Sequence, residues 1–386
     1  MKNFLSMLAM CMSLFAYAQT AVNNFGNFKM HEDASVGFHT DIINNGSLDN
    51  DNQGFAGIYS TNELRSISGN NRAVFYNVEI DAINDLELYT SLGVTNELNF
   101  ENGTVYTPRD GVNVSLNFLN DNVYFGANNT NHVDGYASVS QSYQYTFPVG
   151  DNNYLRPLEI LCDDNTITYH ASYNFYDPNT PPSNFSQAFT TTDKQIFINK
   201  ISSVEFWTLI GTGEVQATLT WNPNSKIDEL TSDLETLRVV GWSISDNKWV
   251  DLGGVAYDGD MFNGKVTSDL FIPNAYEVIT LASGFGDGDL SNVNIIFTPN
   301  NGDDKNDTLV FEGLEKYQNN NLVIYNRWGS VVYTATDYTN NWRGNSEGKM
   351  TINEDDDLPV GTYFYTLELR NDNVELSRKG WIYIHR

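Results

Sequence analysis

The sequence predicts an all-β protein built from several domains, and three observations predict it. Aromatic residues are abundant, with 22 Tyr and 22 Phe, against a background rich in Asn, Thr and Gly. Apolar residues alternate in short runs rather than recurring at helical spacing. Asn, Asp and Gly clusters punctuate those runs as turn formers.

Taken in order, Met1–Ala18 reads as a signal peptide. Lys2 supplies the charged start, Phe4–Ala16 the apolar stretch, and Ala16-Tyr17-Ala18 a small-x-small cleavage site before Gln19. The apolar run is too short to span a bilayer, so an exported chain is expected. Residues 19–150 form the first β-rich domain. Phe75–Ile80, Leu86–Tyr89, Leu98–Phe100 and Val112–Leu119 each alternate inward and outward faces, with turns at Asn102-Gly103, Asp110-Gly111 and Asn128-Asn129. From about Val74 the spacing fits coils of roughly twenty residues stacked as a β-solenoid. A meandering β-sandwich gives a similar pattern, and both readings stay open. The segments Phe100–Pro108, His132–Tyr136 and Phe147–Pro157 resemble a stalk module of Bacteroidetes surface proteins, which implies an architecture and no activity.

Residues 151–286 read as an immunoglobulin-like sandwich of about seven strands, from Leu158–Leu161 through Ala275–Ala282. Trp207, Trp221, Trp242 and Trp249 are its expected core. Asp177–Ser183 reads as a stiff surface loop, Ile227–Leu237 as a short helix, and 287–291 as a linker. Residues 292–386 are a third β domain.

Composition narrows the function classes. The net charge of −28 comes from 49 acidic and 21 basic residues spread along the chain, with no basic patch to neutralise phosphates, so no nucleic-acid partner is expected. Of the two cysteines, Cys11 lies in the leader and Cys162 reads as a small buried hydrophobe. His31, His39, His132, His170 and His385 are scattered without ligand spacing, and no His-Glu-x-x-His, Gly-x-Ser-x-Gly or phosphate loop occurs. A turn-stabilising role suits His132. No catalytic residue is assigned, and the expectation is a non-enzyme. The one cofactor considered is calcium, at Asn301, Asp303, Asp304, Asn306 and Asp307, where oxygen ligands crowd a Gly-containing turn. The same residues also make a turn without any metal. A sugar-binding face is considered at the 177–189 loop with Tyr173, Tyr176 and Phe185, beside the alternative of packing.

The C-terminal domain carries the most specific pattern. Ile295–Asp307, Leu322–Gly329, Asn341-Trp342-Arg343-Gly344, Leu358–Thr366 and Lys379–Ile384 follow in fixed order. This series resembles the gliding-motility-associated C-terminal domain of Bacteroidetes secreted proteins, the type B sorting domain of the type 9 secretion system. It departs from that pattern at Asn300–Asp304 and at Arg343. The resemblance implies a small antiparallel β-sandwich that docks through Thr298, Pro299, Asn300, Asn301, Asn326, Arg327, Trp328, Gly329, Pro359, Val360, Gly361 and Thr362. Trp328, Trp342 and Trp381 are expected to be structural, and Lys379–His385 to lie near a sheet edge. The implied partners are the secretion translocon and an outer-membrane β-barrel anchor, with a surface polysaccharide as a further candidate. The expected placement is the cell surface or beyond, with a role in adhesion or gliding as adhesin, adaptor or accessory. A secreted hydrolase or carbohydrate-binding protein using the same exit is the alternative.

Overall fold

The computed structural model describes residues 21–195, 198–284, 293, 295–299, 305–317, 319–346, 357–371 and 374–386. The expected signal peptide and the 287–291 linker lie outside them. The described residues form an all-β protein whose sheets hold 8, 13, 5 and 5 strands.

The first domain is a β-solenoid, which resolves the choice that alternation alone left open. Strands Ala21–Asn24, Asp41–Asn44, Arg65–Ser68, Leu86–Leu88, Val105–Tyr106, Val133–Asp134 and Val149–Asp151 pair in parallel along one side. Strands Ser35–Phe38, Phe55–Ser60, Ala73–Ala82, Leu92–Asn102, Leu116–Phe118 and Ala137–Val139 pair in parallel along the other. The chain passes from one side to the other and back, and each circuit is one coil. Among the described residues coiling is present from Ala21, well before Val74; the first strands are only four residues long and carry little alternation, so the sequence pattern does not reveal them.

Stacking follows from parallel registry. Leu86, Val105, Val133 and Val149 sit on one another and are all fully buried. Phe38, Ile58, Ile80 and Phe100 make a second internal column. Each contact repeats at the strand spacing of ~4.8 Å. The corners are tight. Gly103 has φ +98°, and a Cβ there would stand 2.0 Å from the Ala82 carbonyl oxygen of the coil before it. Buried asparagines satisfy corner backbone that no strand can reach. Asn52 accepts from the Met30 amide at 2.6 Å and donates to the Val74 carbonyl at 2.8 Å, while Asn131 accepts from the Gly103 amide at 3.2 Å.

The boundary expected between Gly150 and Asp151 falls inside the strand Val149–Asp151. The second solenoid sheet runs on: Ala137–Val139 pairs antiparallel with Tyr169–Asn174, the first of Tyr169–Asn174, Phe206–Ile210, Tyr276–Gly284, Leu237–Ser243 and Lys248–Asp251. Facing them is a sheet of Gln144–Phe147, Leu158–Cys162, Val215–Trp221, Gly264–Thr267 and Ala256–Gly259. One hydrophobic core therefore extends from Met30 to Leu281 and includes Trp207 and Trp221. Trp242 and Trp249 pack separately with Phe189 and Phe206. The expected helix shrinks to one turn, Ile227–Leu230. Beyond it, Thr231 Oγ1 accepts from the Asp233 amide and Asp233 Oδ1 from the Glu235 amide, so side chains compete with helix continuation.

The C-terminal domain is one five-stranded sheet in the order Ile296–Phe297, Val374–Ile384, Gly361–Asn371, Asn320–Tyr325, Val331–Thr336. Its inner face, with Leu322, Ile324, Leu367 and Ile382, packs on Leu309, Phe311, Tyr338 and Trp342 from connecting segments rather than on a second sheet. The last strand lies second in that order, near the sheet edge as expected, because the strand outside it is only two residues long. Ile296–Phe297 adds alongside it in parallel, taking Tyr383 and Ile384 as partners.

Candidate functional site

Strand direction brings the C-terminal motifs together. Ile296–Phe297, Asn320–Tyr325 and Val374–Ile384 all finish at the end of the sheet where Gly361–Asn371 begins, because Tyr325 pairs with Phe364 and Gly361 with Ile384. Thr298-Pro299, Asn326–Gly329 and Pro359–Thr362 therefore share that end. Asn300 and Asn301 lie outside the described residues.

Each segment is fixed by local bonding. Thr298 donates its amide to the Asn306 carbonyl at 2.8 Å. Asn326 shapes the hairpin turn: its Oδ1 accepts from the Trp328 and Ser330 amides, both at 3.0 Å, and Gly329 supplies φ +81°. The Arg327 guanidinium lies 4.3 Å from the centre of the Trp328 ring. The Tyr363 hydroxyl donates to the Pro359 carbonyl at 2.9 Å, and burial pushes its pKa up. Arg386 closes the end, donating to the Leu358 and Gly344 carbonyls and pairing with Asp357 at 2.9 Å.

At this end the outer face of the same sheet carries an exposed apolar patch. Phe364 stands directly opposite Trp381, and they are 47% and 50% exposed. Trp328 is 74% exposed at the adjoining turn, and Ile296 and Val360 are exposed beside it. The expectation of three structural tryptophans holds for Trp342, which is buried, and fails for Trp328 and Trp381. The physical reason is parity: Trp381 pairs with outward-facing Phe364, and Trp328 occupies a turn with no core beneath it.

The expected calcium turn lies largely outside the described residues, and the expected sugar face is closed. Of the calcium candidates only Asn306 and Asp307 are described, and among the described residues no three His, Cys, Asp or Glu converge as metal ligands. The sugar face does not form at the 177–189 loop. Tyr173 is fully buried with its hydroxyl on Glu205 at 2.7 Å, and Phe185 packs against Phe189 and Phe206. His132 is buried with Nδ1 3.2 Å from the Asn128 carbonyl oxygen; that oxygen can only accept, so the proton sits on Nδ1. Its unpartnered Nε2 is buried, and burial lowers its pKa. Cys162 is buried, and burial raises its thiol pKa.

The C-terminal domain is thus a mixed sheet packed on one face, with three turns converging at one end and exposed aromatics beside them. Residues 290–384 match the CHU_C type IX secretion signal domain. The C-terminal sheet is thus a sorting domain of the type 9 secretion system, and the chain carries that system's export signal and engages its machinery. No curated protein and no solved structure matches the chain.

Proposed function

We propose that the protein is a non-enzymatic cell-surface component, acting as an adhesin, adaptor or accessory factor in adhesion or gliding. Its sorting domain docks with the translocon and is then held by an outer-membrane β-barrel partner. The observation that supports this reading is the convergence of Thr298-Pro299, Asn326–Gly329 and Pro359–Thr362 beside the open Phe364–Trp381 face. Exposed contiguous apolar surface of this kind marks a protein contact. The domain's own core is complete without it.

The test is protease shaving of intact host cells. It compares the full-length chain, a chain ending at Ser291, and a full-length Trp328→Ala/Phe364→Ser/Trp381→Ser variant. Surface exposure is expected for the first alone, with the triple variant melting near the wild type because its replaced side chains lie outside the core. Surface exposure of the Ser291 chain would end the docking reading, and so would normal export of the folded triple variant.

A further inference from the structure

We infer that a groove on the first solenoid sheet, which the export reading leaves unused, binds a neutral polysaccharide chain. The outward positions of that sheet form a row with one residue per coil. Ser66 pairs with Glu87, Glu87 with Tyr106, and Tyr106 with Asp134. Beside this row lies a groove of about 710 Å³, bordered by Leu64, Tyr89 and Pro108 and lined by Glu87, Tyr106 and Asp134 of the row. That size suits a bound ligand of a few rings.

The chemistry of the walls selects the ligand. Leu64, Tyr89 and Tyr106 are 49%, 59% and 39% exposed, so apolar surface lines the groove without being consumed by packing. The Tyr89 hydroxyl donates to Glu87 Oε2 at 2.6 Å, which holds its ring in one orientation before any ligand arrives. That bond raises the Tyr89 pKa, and burial raises that of Tyr106, so both rings stay neutral. Asp85 accepts the Thr104 amide through Oδ1 at 2.8 Å, and Asp134 accepts Arg109 through Oδ1 at 2.6 Å. Their other oxygens, with Glu87 Oε1, remain as acceptors for hydroxyl donors.

Charge excludes the alternatives. Arg109 is the cation of the groove wall, and it is committed to Asp134, the Tyr173 and Gly150 carbonyls and Asn174. Asp85 and Glu87 therefore leave the groove negative, which repels polyanions. A metal ion requires several converging oxygens, and no such group exists among the described residues. Flat apolar rings beside carboxylate acceptors fit the C–H face and the hydroxyls of a pyranose. Successive sugars of an extended chain repeat on the order of the ~4.8 Å strand spacing, so one sugar meets one coil.

The purified protein, lacking its leader, would be run in native gels containing hydroxyethylcellulose, xylan or laminarin as neutral probes. Alginate and polylysine serve as charged ones. Retardation by at least one neutral glycan is expected, and it should persist at about 0.5 M NaCl because it does not rest on screened charges. Tyr89→Ala/Tyr106→Ala should weaken it about ten-fold or more, while Tyr143→Ala, at a 56% exposed tyrosine outside the groove, should not. Equal melting temperatures confirm that the variants fold. Retardation by no neutral glycan, by the charged probes alone, or equally in the double variant would overturn the assignment. None of these outcomes bears on export, which uses a different domain.

Discussion

Glu205 is fully buried, and the way it is held shows what a single charge does in this core. Its Oε2 receives Arg156 Nε at 3.1 Å and the Tyr173 hydroxyl at 2.7 Å, while its Oε1 is buried without a partner. Arg156 in turn donates to the Leu155 carbonyl and to Asn222, and its own carbonyl accepts the Trp207 indole at 3.1 Å. The pair ties the end of the solenoid to the sandwich strands Tyr169–Asn174 and Phe206–Ile210. Removing one partner strands the other in a medium that cannot solvate it. Arg156→Met should cost about 3–5 kcal/mol, and adding Glu205→Leu should recover much of the loss. Urea denaturation of the three proteins measures both effects; a single variant within about 1 kcal/mol of the wild type would contradict the buried-charge argument.

Among the elements, the solenoid corners are the least tolerant. Gly69, Gly126 and Gly135 repeat the arrangement of Gly103. Each has positive φ, and a Cβ added there would meet a carbonyl oxygen of the preceding coil at 2.2, 2.2 or 2.3 Å. Gly103→Ala should destabilise by about 2 kcal/mol or more, since strain and collision add. Thermal melting beside Gly111→Ala, at a glycine with open space around it, separates corner geometry from a general glycine effect. Of these corner glycines, Gly103 is legible in the sequence as a turn residue beside Asn102, but its contact with the previous coil is not. Alternation identified the strands, and in Leu86–Leu88 the inward face; in Phe75–Ile80 a bulge between Phe75 and Asn77 breaks it, so Phe75 and Val78 both face inward. It could not say that neighbours pair in parallel, because alternation is a property of one strand and pairing is a property of two. For the same reason Tyr89, Tyr106 and Asp134 read as unrelated positions until stacking placed them along one groove. The sorting motifs were legible because each is a short turn with its own residue chemistry. Their meeting at one end of a sheet depends on strand order, which local sequence does not record.

At the scale of the molecule, the described residues divide into cores between Leu281 and Phe297, and not at the boundary expected between Gly150 and Asp151. Solenoid and sandwich share the core that runs from Met30 to Leu281 and a continuous 13-stranded sheet, whereas Phe297–Ile384 has a core of its own. The separate Trp242–Trp249 cluster sits on strands of that same 13-stranded sheet, so calorimetry should show two transitions, one for solenoid and sandwich together and one for the C-terminal core. Ending the chain at Ser291 should remove one and leave the other within about 1 °C, and a single transition lost or shifted as a whole would contradict this partition.

Stacked coils also give the solenoid a property that a sandwich lacks. Each coil touches only the coils before and after it. A duplicated or excised circuit would bring its own pair of strands, corner glycine and buried column, and would leave the join to the sandwich unchanged. The distance from that join to the Ala21 tip is therefore graduated in strand spacings of ~4.8 Å. Descent can lengthen or shorten such a molecule in whole steps, with no compensating change elsewhere.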